Sequence, residues 1–431
     1  MKTNFVKLRW LFTMLLFVTT MIMPTMMLAK SIDLKIPEGD GAGTPYKIGT
    51  AEELYWFAGL VNGTLPGVKK DLSANAILTD DIIVNTGVLD PNKDLVSGND
   101  FIEWIPIGKS SSDDDAYTGT FDGNGHTISG LYFNKSNSWY VGLFGCIGAE
   151  GKISNVGVSD SYFQSSNCPY IGGVCGSNSG ELQNCSNSST VIGKENEYRI
   201  GGVCGYNSGT VKDCKNTGSV RGKETIGGVC GYNERRYNEK GGIIENSFNE
   251  GTVRGKETIG GVCGNNSGTI KNCYNTASVS GQYSVGGVCG DNYEGPITNC
   301  YYLSGTVADG KGGIGGKDDE NGKAVEMSKD RFKSGEVAWL LNGSKSVFTE
   351  ESTLAWYQKL GENADAYPVL KSTDHNTVYK APLFSCDGTT RIGEYANKPE
   401  GDKLSHNYQM AEKADEGTSN LYSEECAICH N

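Results

Sequence analysis

Between residues 120 and 303 the apolar positions come in ones, twos and threes, without the i, i+3, i+4, i+7 rhythm of a helix. In the stretch 259–281 the pieces IGGVCG, GTIKNC and ASVSG are divided by Asn, Gly and Ser, so turn residues interrupt every five or six positions. Pieces this short predict strands joined by tight turns. The phrase IGGVCG or a near copy starts at Ile171, Ile200, Ile226, Ile259 and Val285, at spacings of 29, 26, 33 and 26 residues, with a degenerate VGLFG at Val141. The long interval contains an insert around Glu234–Lys240. Such periods predict a solenoid whose units stack one on the next. Parallel coils would place identical residues about 4.8 Å above one another, in a rod of roughly six or seven coils.

That geometry makes sense of a composition that would otherwise suit a linker. Asn178, Asn207, Asn233, Asn266 and Asn292 fall in one column, and Asn187, Asn216, Asn249 and Asn275 in a second. A stacked amide donates to one neighbour and accepts from the other. Asn also tolerates the left-handed conformation of a coil corner, and paired glycines fit where a Cβ would clash. Cysteines form two further columns: Cys175, Cys204, Cys230, Cys263 and Cys289, then Cys185, Cys214, Cys273 and Cys300. Ser247 takes the place of a Cys in the second, leaving Cys230 without a partner in its repeat, so buried stacked thiols are preferred to disulfides. Whether Val174 or Cys175 points inward stays open, because the glycine pair can reset the strand parity.

The ends differ from the array. Thr50 and Glu53 form a capping box ahead of a helical face of Leu54, Phe57, Ala58 and Val61 that stops at Gly63, predicting a helix on the first coil. A shorter helical stretch around Val337–Leu341 marks the other end. At the N-terminus, Lys2, Lys7 and Arg9 precede an apolar run from Leu11 to Met23, with a cleavage expected after Ala29. The expected divisions are a signal peptide at 1–29, an N-terminal cap region at 30–118, repeats at 119–303, a C-terminal cap region at 304–380 and a Cys/His-containing tail at 381–431. No later apolar stretch is long enough to span a bilayer, so the mature chain is expected to be secreted or at the cell surface. With 60 glycines, 37% hydrophobic residues and a net charge of −13, the chain offers no support for a large helical core or for nucleic-acid binding.

The phrase IGGVCGYNSGTVKDC resembles the GLUG repeat of bacterial exported proteins. WIPIG, FDGNGHTISGLYF and VGLFG before the array, and EMSKDRFKSGEVAWLLNG and the WYQKLG–AYPVL region after it, strengthen the resemblance over roughly residues 45–372. It implies an all-β, right-handed parallel β-helix of the pectin-lyase type, and a family that includes adhesin-like surface proteins. The same repeat also accompanies the catalytic part of some immunoglobulin-A peptidases.

Candidate chemistry is sparse. Phe248, Tyr274 and Tyr301 share a column that would bind sugar rings or partner side chains if exposed, and would be core if turned inward. Lys194–Glu195, Lys223–Glu224 and Lys256–Glu257 recur coil by coil, which suggests a solvated ladder. Arg235 and Arg236 form the only charged departure within the array. Asp113–Asp115 and Asp318–Glu320 are acidic loops without an ordered calcium spacing, and His126 is read as a turn residue. In the tail, Cys386, His406, Cys426 and Cys429 could hold zinc, while Cys426–His430 reads CxxCH, the haem-attachment signature. The polar residues before that signature show no haem-enclosing domain, so a CxxC disulfide or a truncated module is the default. The expected function is a non-catalytic rod that binds glycan or host/matrix protein. The alternatives are a polysaccharide-active lyase or hydrolase of the β-helix type and a structural spacer for another module.

Overall fold

In the computed structural model of the chain, residues 32–404 are described except 98–99, 113, 168, 195–197, 236–240, 309–310, 316–322, 345–353, 362, 371–375, 385–390 and 400, together with the backbone of 408–411 and 423–426. Each repeat makes one coil of five short strands. In one coil these are Thr210–Lys212, Lys215–Asn216, Val220–Arg221, Glu224–Gly227 and Cys230–Asn233, one strand for each of five parallel sheets. Numbered in that order, sheets one and two have nine strands each, and sheets three to five have six. The result is a parallel β-solenoid of about eight turns. It exceeds six or seven coils because the flanks join the stack. Tyr46–Ile48 and Ala76–Leu78 extend sheet one, and Ile82–Ile83 and Ala324–Met327 extend sheet two.

The interior is the sum of inward columns. In the coil above, Val211, Cys214, Asn216, Val220, Ile226, Val229 and Cys230 are all fully buried. Both predicted Asn columns form continuous amide ladders. Asn178 Nδ2 donates to Asn207 Oδ1 at 2.9 Å, and the chain of bonds continues through Asn233 and Asn266 to Asn292. Asn187, Asn216, Asn249 and Asn275 do the same at 2.7–2.8 Å. Each interior amide thereby escapes the cost of an unpaired buried polar group.

The left-handed corners belong to a different column. Asn155, Asn184, Asp213, Asn246, Asn272 and Asn299 have φ of 49–54°, apart from Asn246 at 47°, whereas the two buried columns do not adopt that conformation. These corner side chains are themselves linked along the rod, as from Asn184 to Asn155 at 2.9 Å and from Asn272 to Asn246 at 3.2 Å.

Gly201 and Gly202 show why the pair is glycine. A Cβ on Gly201 would lie 2.0 Å from the Cys204 carbonyl oxygen, and one on Gly202 would lie 2.2 Å from that of Gly228. The sharp bend that follows settles the parity question, since Val174 and Cys175 are both fully buried. The cysteines of both columns are buried and free. First-column thiols donate to the carbonyl two residues ahead, as Cys175 to Ser177 at 3.0 Å, and second-column thiols to the one two residues behind, as Cys214 to Lys212 at 3.1 Å. Ser247 repeats the second pattern at 2.8 Å, so a hydroxyl replaces a thiol without loss of the bond. Burial raises the thiols of Cys175, Cys214, Cys230, Cys273 and Cys289 well above the ordinary range, whereas at Cys204 and Cys263 burial is outweighed by hydrogen bonds from the flanking thiols, which bring them down to about 5; all are sealed from solvent, which suits packing.

Helix α1 (Ala51–Asn62) covers the first end. Thr50 caps it by accepting from Glu53 N–H, while the Glu53 carboxylate accepts from Gly49 N–H at 2.9 Å, and Gly63 closes it at φ 63°. It is buried on more than the expected face, because residues 102–108 cross its far side. Tyr55 packs edge-on against Trp104 and donates to the Glu103 carbonyl at 2.9 Å. At the other end, helices α2 (Lys329–Lys333) and α3 (Glu336–Leu341) fold back against sheet two. Val378, Tyr395 and Asn397 join this cap: Asn397 Nδ2 donates to the carbonyls of Gln358 and Thr377 at 2.8 and 3.0 Å. The expected leader at 1–29 lies outside the described residues.

Candidate functional site

The outward columns of the rod differ in whether the rest of the described chain covers them. Phe248, Tyr274 and Tyr301 point away from the solenoid interior, since their neighbours Asn249 and Asn275 occupy it. They are nevertheless buried, with exposures of 6%, 0% and 7%. Phe248 stacks on Tyr274 at 4.9 Å, and Trp356 and Phe332 of the C-terminal cap close over them. Tyr274 Oη also donates to the Pro368 carbonyl at 2.6 Å. As a ligand-binding strip this column is therefore corrected: it is the seat of the cap.

An open aromatic column lies elsewhere, on the outer faces of sheets four and five. Tyr140 and Tyr170 are partners in sheet four and stack at 5.2 Å with 8° between their planes. Tyr206 and Tyr232 are partners in sheet five and stack at 5.8 Å and 4°. Tyr170 meets Tyr206 edge-on at 5.3 Å, joining the two pairs. The Arg199 guanidinium sits among them, 5.3 Å from the Tyr170 ring, 5.7 Å from Tyr206 and 5.1 Å from Tyr232. These are cation–π distances.

The local chain explains this placement. Alternation sends Tyr206 and Tyr232 outward, because each directly precedes an inward ladder residue, Asn207 or Asn233. Arg199 stands at the left-handed corner that opens a strand, at φ 71°, as Thr225, Thr258 and Ser284 do in later coils. Such a conformation in a non-Gly residue costs on the order of 1–3 kcal/mol, and here it holds the guanidinium over the rings. Polar groups secure the rim: the Tyr206 hydroxyl bonds to the Glu234 carboxylate, and the Tyr140 and Ser111 hydroxyls lie 2.9 Å apart. Partial burial raises the Tyr140 phenol above its ordinary pKa. Trp139, next to Tyr140, is 66% exposed. The assembly is a polar-rimmed aromatic platform with a fixed cation, able to stack on flat faces and to donate hydrogen bonds. Its signal in the sequence is the Tyr in CGYN, read together with the inward Asn that follows it.

The remaining candidates fall out as follows. Arg235 is exposed in the insert, with its N–H donating to Ser267 Oγ at 2.9 Å, and Arg236 lies outside the described residues. Cys386, His406 and Cys429 also lie outside them, as does the side chain of Cys426. Among the described residues no three of His, Cys, Asp and Glu gather as a metal site. In the first acidic loop, Asp115 is held by Lys70 at 2.5 Å, which keeps its carboxyl below the usual range. The second loop, Asp318–Glu320, is outside the described residues. His126 Nδ1 lies 3.5 Å from Asp81 at a turn, as a structural residue would.

Comparison with known proteins now bears on this surface. The family model of the GLUG motif matches residues 196–221. Halomucin of Haloquadratum walsbyi is 38% identical over 84 residues, 20% of this chain and 1% of halomucin. A protein provisionally named as a Gly-rich membrane protein of Evansella cellulosilytica is 33% identical over 78 residues, 18% of this chain and 9% of that protein. The matched stretches are thus small parts of much longer relatives. Among solved structures, a Bacteroides ovatus chain provisionally called an immunoglobulin A1 protease superposes with a TM-score of 0.51 at 21% identity, over 78% of this chain and 95% of that one. That likeness concerns the fold. The chain carries the GLUG motif within a parallel β-solenoid, its relatives bear surface- or membrane-protein names, and no described helix is long and apolar enough to cross a membrane.

Proposed function

We infer that the chain is a non-catalytic, exported surface protein whose rigid β-helical rod binds glycan or host/matrix protein through its open aromatic face. The observation that carries this reading is the Tyr140–Tyr170–Arg199–Tyr206–Tyr232 platform: four rings from neighbouring coils, stacked and locked, with no segment of the described chain laid over them. Pre-organised rings bind at little entropic cost, and a rod repeats weak contacts along an extended ligand so that they add. The membrane-protein name of one relative, which this chain resembles over 78 residues, supports a surface role. Fold likeness to a chain called a protease transfers no activity.

The test is direct binding of the purified chain to an immobilised panel of glycans and matrix proteins. Saturable binding to one class, weakened at least fivefold in a Tyr170→Ala/Tyr232→Ala variant that keeps its melting profile, is the expected result. Failure to bind any member, or binding indifferent to those tyrosines, would overturn it.

A further inference from the structure

A second outward feature sits at the corner between sheets three and four. Five cations, Lys194, Arg221, Lys223, Arg254 and Lys256, line one concavity of about 840 Å³, and among the described residues no acidic one lines it. The concavity follows from sequence. Lys194, Lys223 and Lys256 each succeed a glycine of a single column. A Cβ on Gly222 would meet Ile200 Cδ1 at 2.2 Å, and one on Gly255 would meet Ile226 Cδ1 at 2.3 Å. The backbone therefore drops onto the interior isoleucines, and the long cationic side chains stand on either side of a glycine floor.

Register then concentrates charge. Arg221 pairs with Arg254 in sheet three, and Lys256 N–H donates to the Lys223 carbonyl at 2.9 Å, so both cation columns climb coil by coil at about 4.8 Å per step. Like charges held in register are destabilising. The glutamates that follow relieve little of this. Among the described residues Lys256 pairs with Glu257 at 3.4 Å, while Lys223 and Arg254 have no ion pair. Arg221 is held by Asp94 at 2.8 Å, yet its Nε is buried with no acceptor. On a chain of net charge −13 this is a local reversal of sign with donors to spare.

Deepening the function above by naming a ligand class, we propose that this groove binds an extended acidic glycan, bearing uronate or sulfate groups, laid along the rod with about one anionic sugar to a coil. The cations are spread over coil steps instead of converging on a point, so they suit a chain of separated anions better than one phosphate. A neighbouring concavity of about 560 Å³ shares Arg221 and Arg254, adds Lys93 and one acid, Glu250, and is otherwise lined largely by hydroxyls such as those of Thr217, Ser219 and Thr252. Those hydroxyls are partners for sugar hydroxyls. The acidic remainder of the chain disfavours a nucleic acid, whose charge continues past the groove.

The test uses the full chain and defined oligosaccharides: an oligouronate, a sulfated oligosaccharide, a neutral oligosaccharide of equal length, and single-stranded DNA. Binding is followed at low and moderate salt. The variant is Arg254→Ser/Lys223→Gln, which installs residue types that the last coil carries in the same columns, Ser280 and Gln282, so folding should survive. Expected are binding of the uronate or the sulfated chain, about tenfold weaker in the variant with a shallower salt dependence, and little binding of the neutral chain. The stronger of the two acidic arms identifies the anion. Equal binding of DNA, equal binding of the neutral chain, or unchanged affinity in the variant would overturn the proposal. Neutral-glycan or matrix binding lost only in the tyrosine variant would leave the surface-binding reading standing while this groove assignment fell. Absence of any binding would end both.

Discussion

Two aromatic columns run up the outside of the rod, and they meet opposite fates. Phe248 and Tyr274 on sheet two are stacked in register and sealed beneath Trp356 and Phe332, with Tyr301 buried in the same cluster. Tyr140, Tyr170, Tyr206 and Tyr232 on sheets four and five are stacked as well, but gather around a guanidinium and remain half-exposed. Stacking is thus what parallel register does to any repeated aromatic. It does not distinguish a core from a binding surface. What distinguishes them is the rest of the fold, which lays one cap over the first column and, among the described residues, none over the second.

The largest effect should come from uncovering the sealed column. Trp356→Ala removes the ring that contacts both Phe248 and Tyr274 and should cost about 3–5 kcal/mol. Chemical denaturation should show an early transition of the cap, and ligand binding at the open platform should persist. An interior ladder should come next. Asn216→Leu strands the Nδ2 of Asn187 and takes from the Oδ1 of Asn249 one of its two donors, leaving the Gly251 N–H, at roughly 2 kcal/mol in total, measurable as a lower denaturation midpoint.

Breaking the open face should contrast with both. Tyr170→Ala/Tyr232→Ala removes half-exposed rings and should shift stability by under about 1.5 kcal/mol while binding falls. A large loss of stability would mean that the platform is structural.

The smallest effect concerns the corner column. Asp213 stands where neighbouring coils have Asn, and burial raises its carboxyl above the ordinary value. An acid whose folded pKa is raised is best tolerated protonated, so wild-type stability should fall as pH rises through that pKa. Asp213→Asn should remove this pH dependence and gain less than about 1 kcal/mol at neutral pH after solvent screening. Melting curves across pH 4–8 compare the two proteins directly.

Much of this fold could be read from spacing alone. The period, the two interior Asn ladders and the thiol columns follow from identical residues recurring at coil intervals, because stacking turns sequence period into vertical contact. Helix α1 was legible through Thr50, Glu53 and Gly63, which act on the nearby backbone. The burial of Phe248, Tyr274 and Tyr301 was not, because it depends on Trp356, about a hundred residues later in the chain and brought back by the fold. The left-handed Asn column was assigned to the wrong asparagines for a related reason: Asn184 and Asn187 are both plausible corner residues, and only the coil's path shows which one turns. The open platform escaped a column-by-column reading because its rings come from two sheets, at positions that align only after the coil closes. The cationic groove was seen as a list of Lys–Glu pairs, and the glycine floor that gathers its cations became visible only in three dimensions.

The central claim is that the uncovered column binds and the covered one supports. Its most direct test compares affinity for one identified glycan or matrix ligand in three proteins: the wild type, Tyr170→Ala/Tyr232→Ala on the open face, and the conservative Phe248→Leu on the sealed face. The account predicts at least a fivefold loss for the open-face variant and affinity within twofold of wild type for the sealed-face variant. Unchanged binding in the first, or an equal loss in a well-folded Phe248→Leu protein, would contradict it.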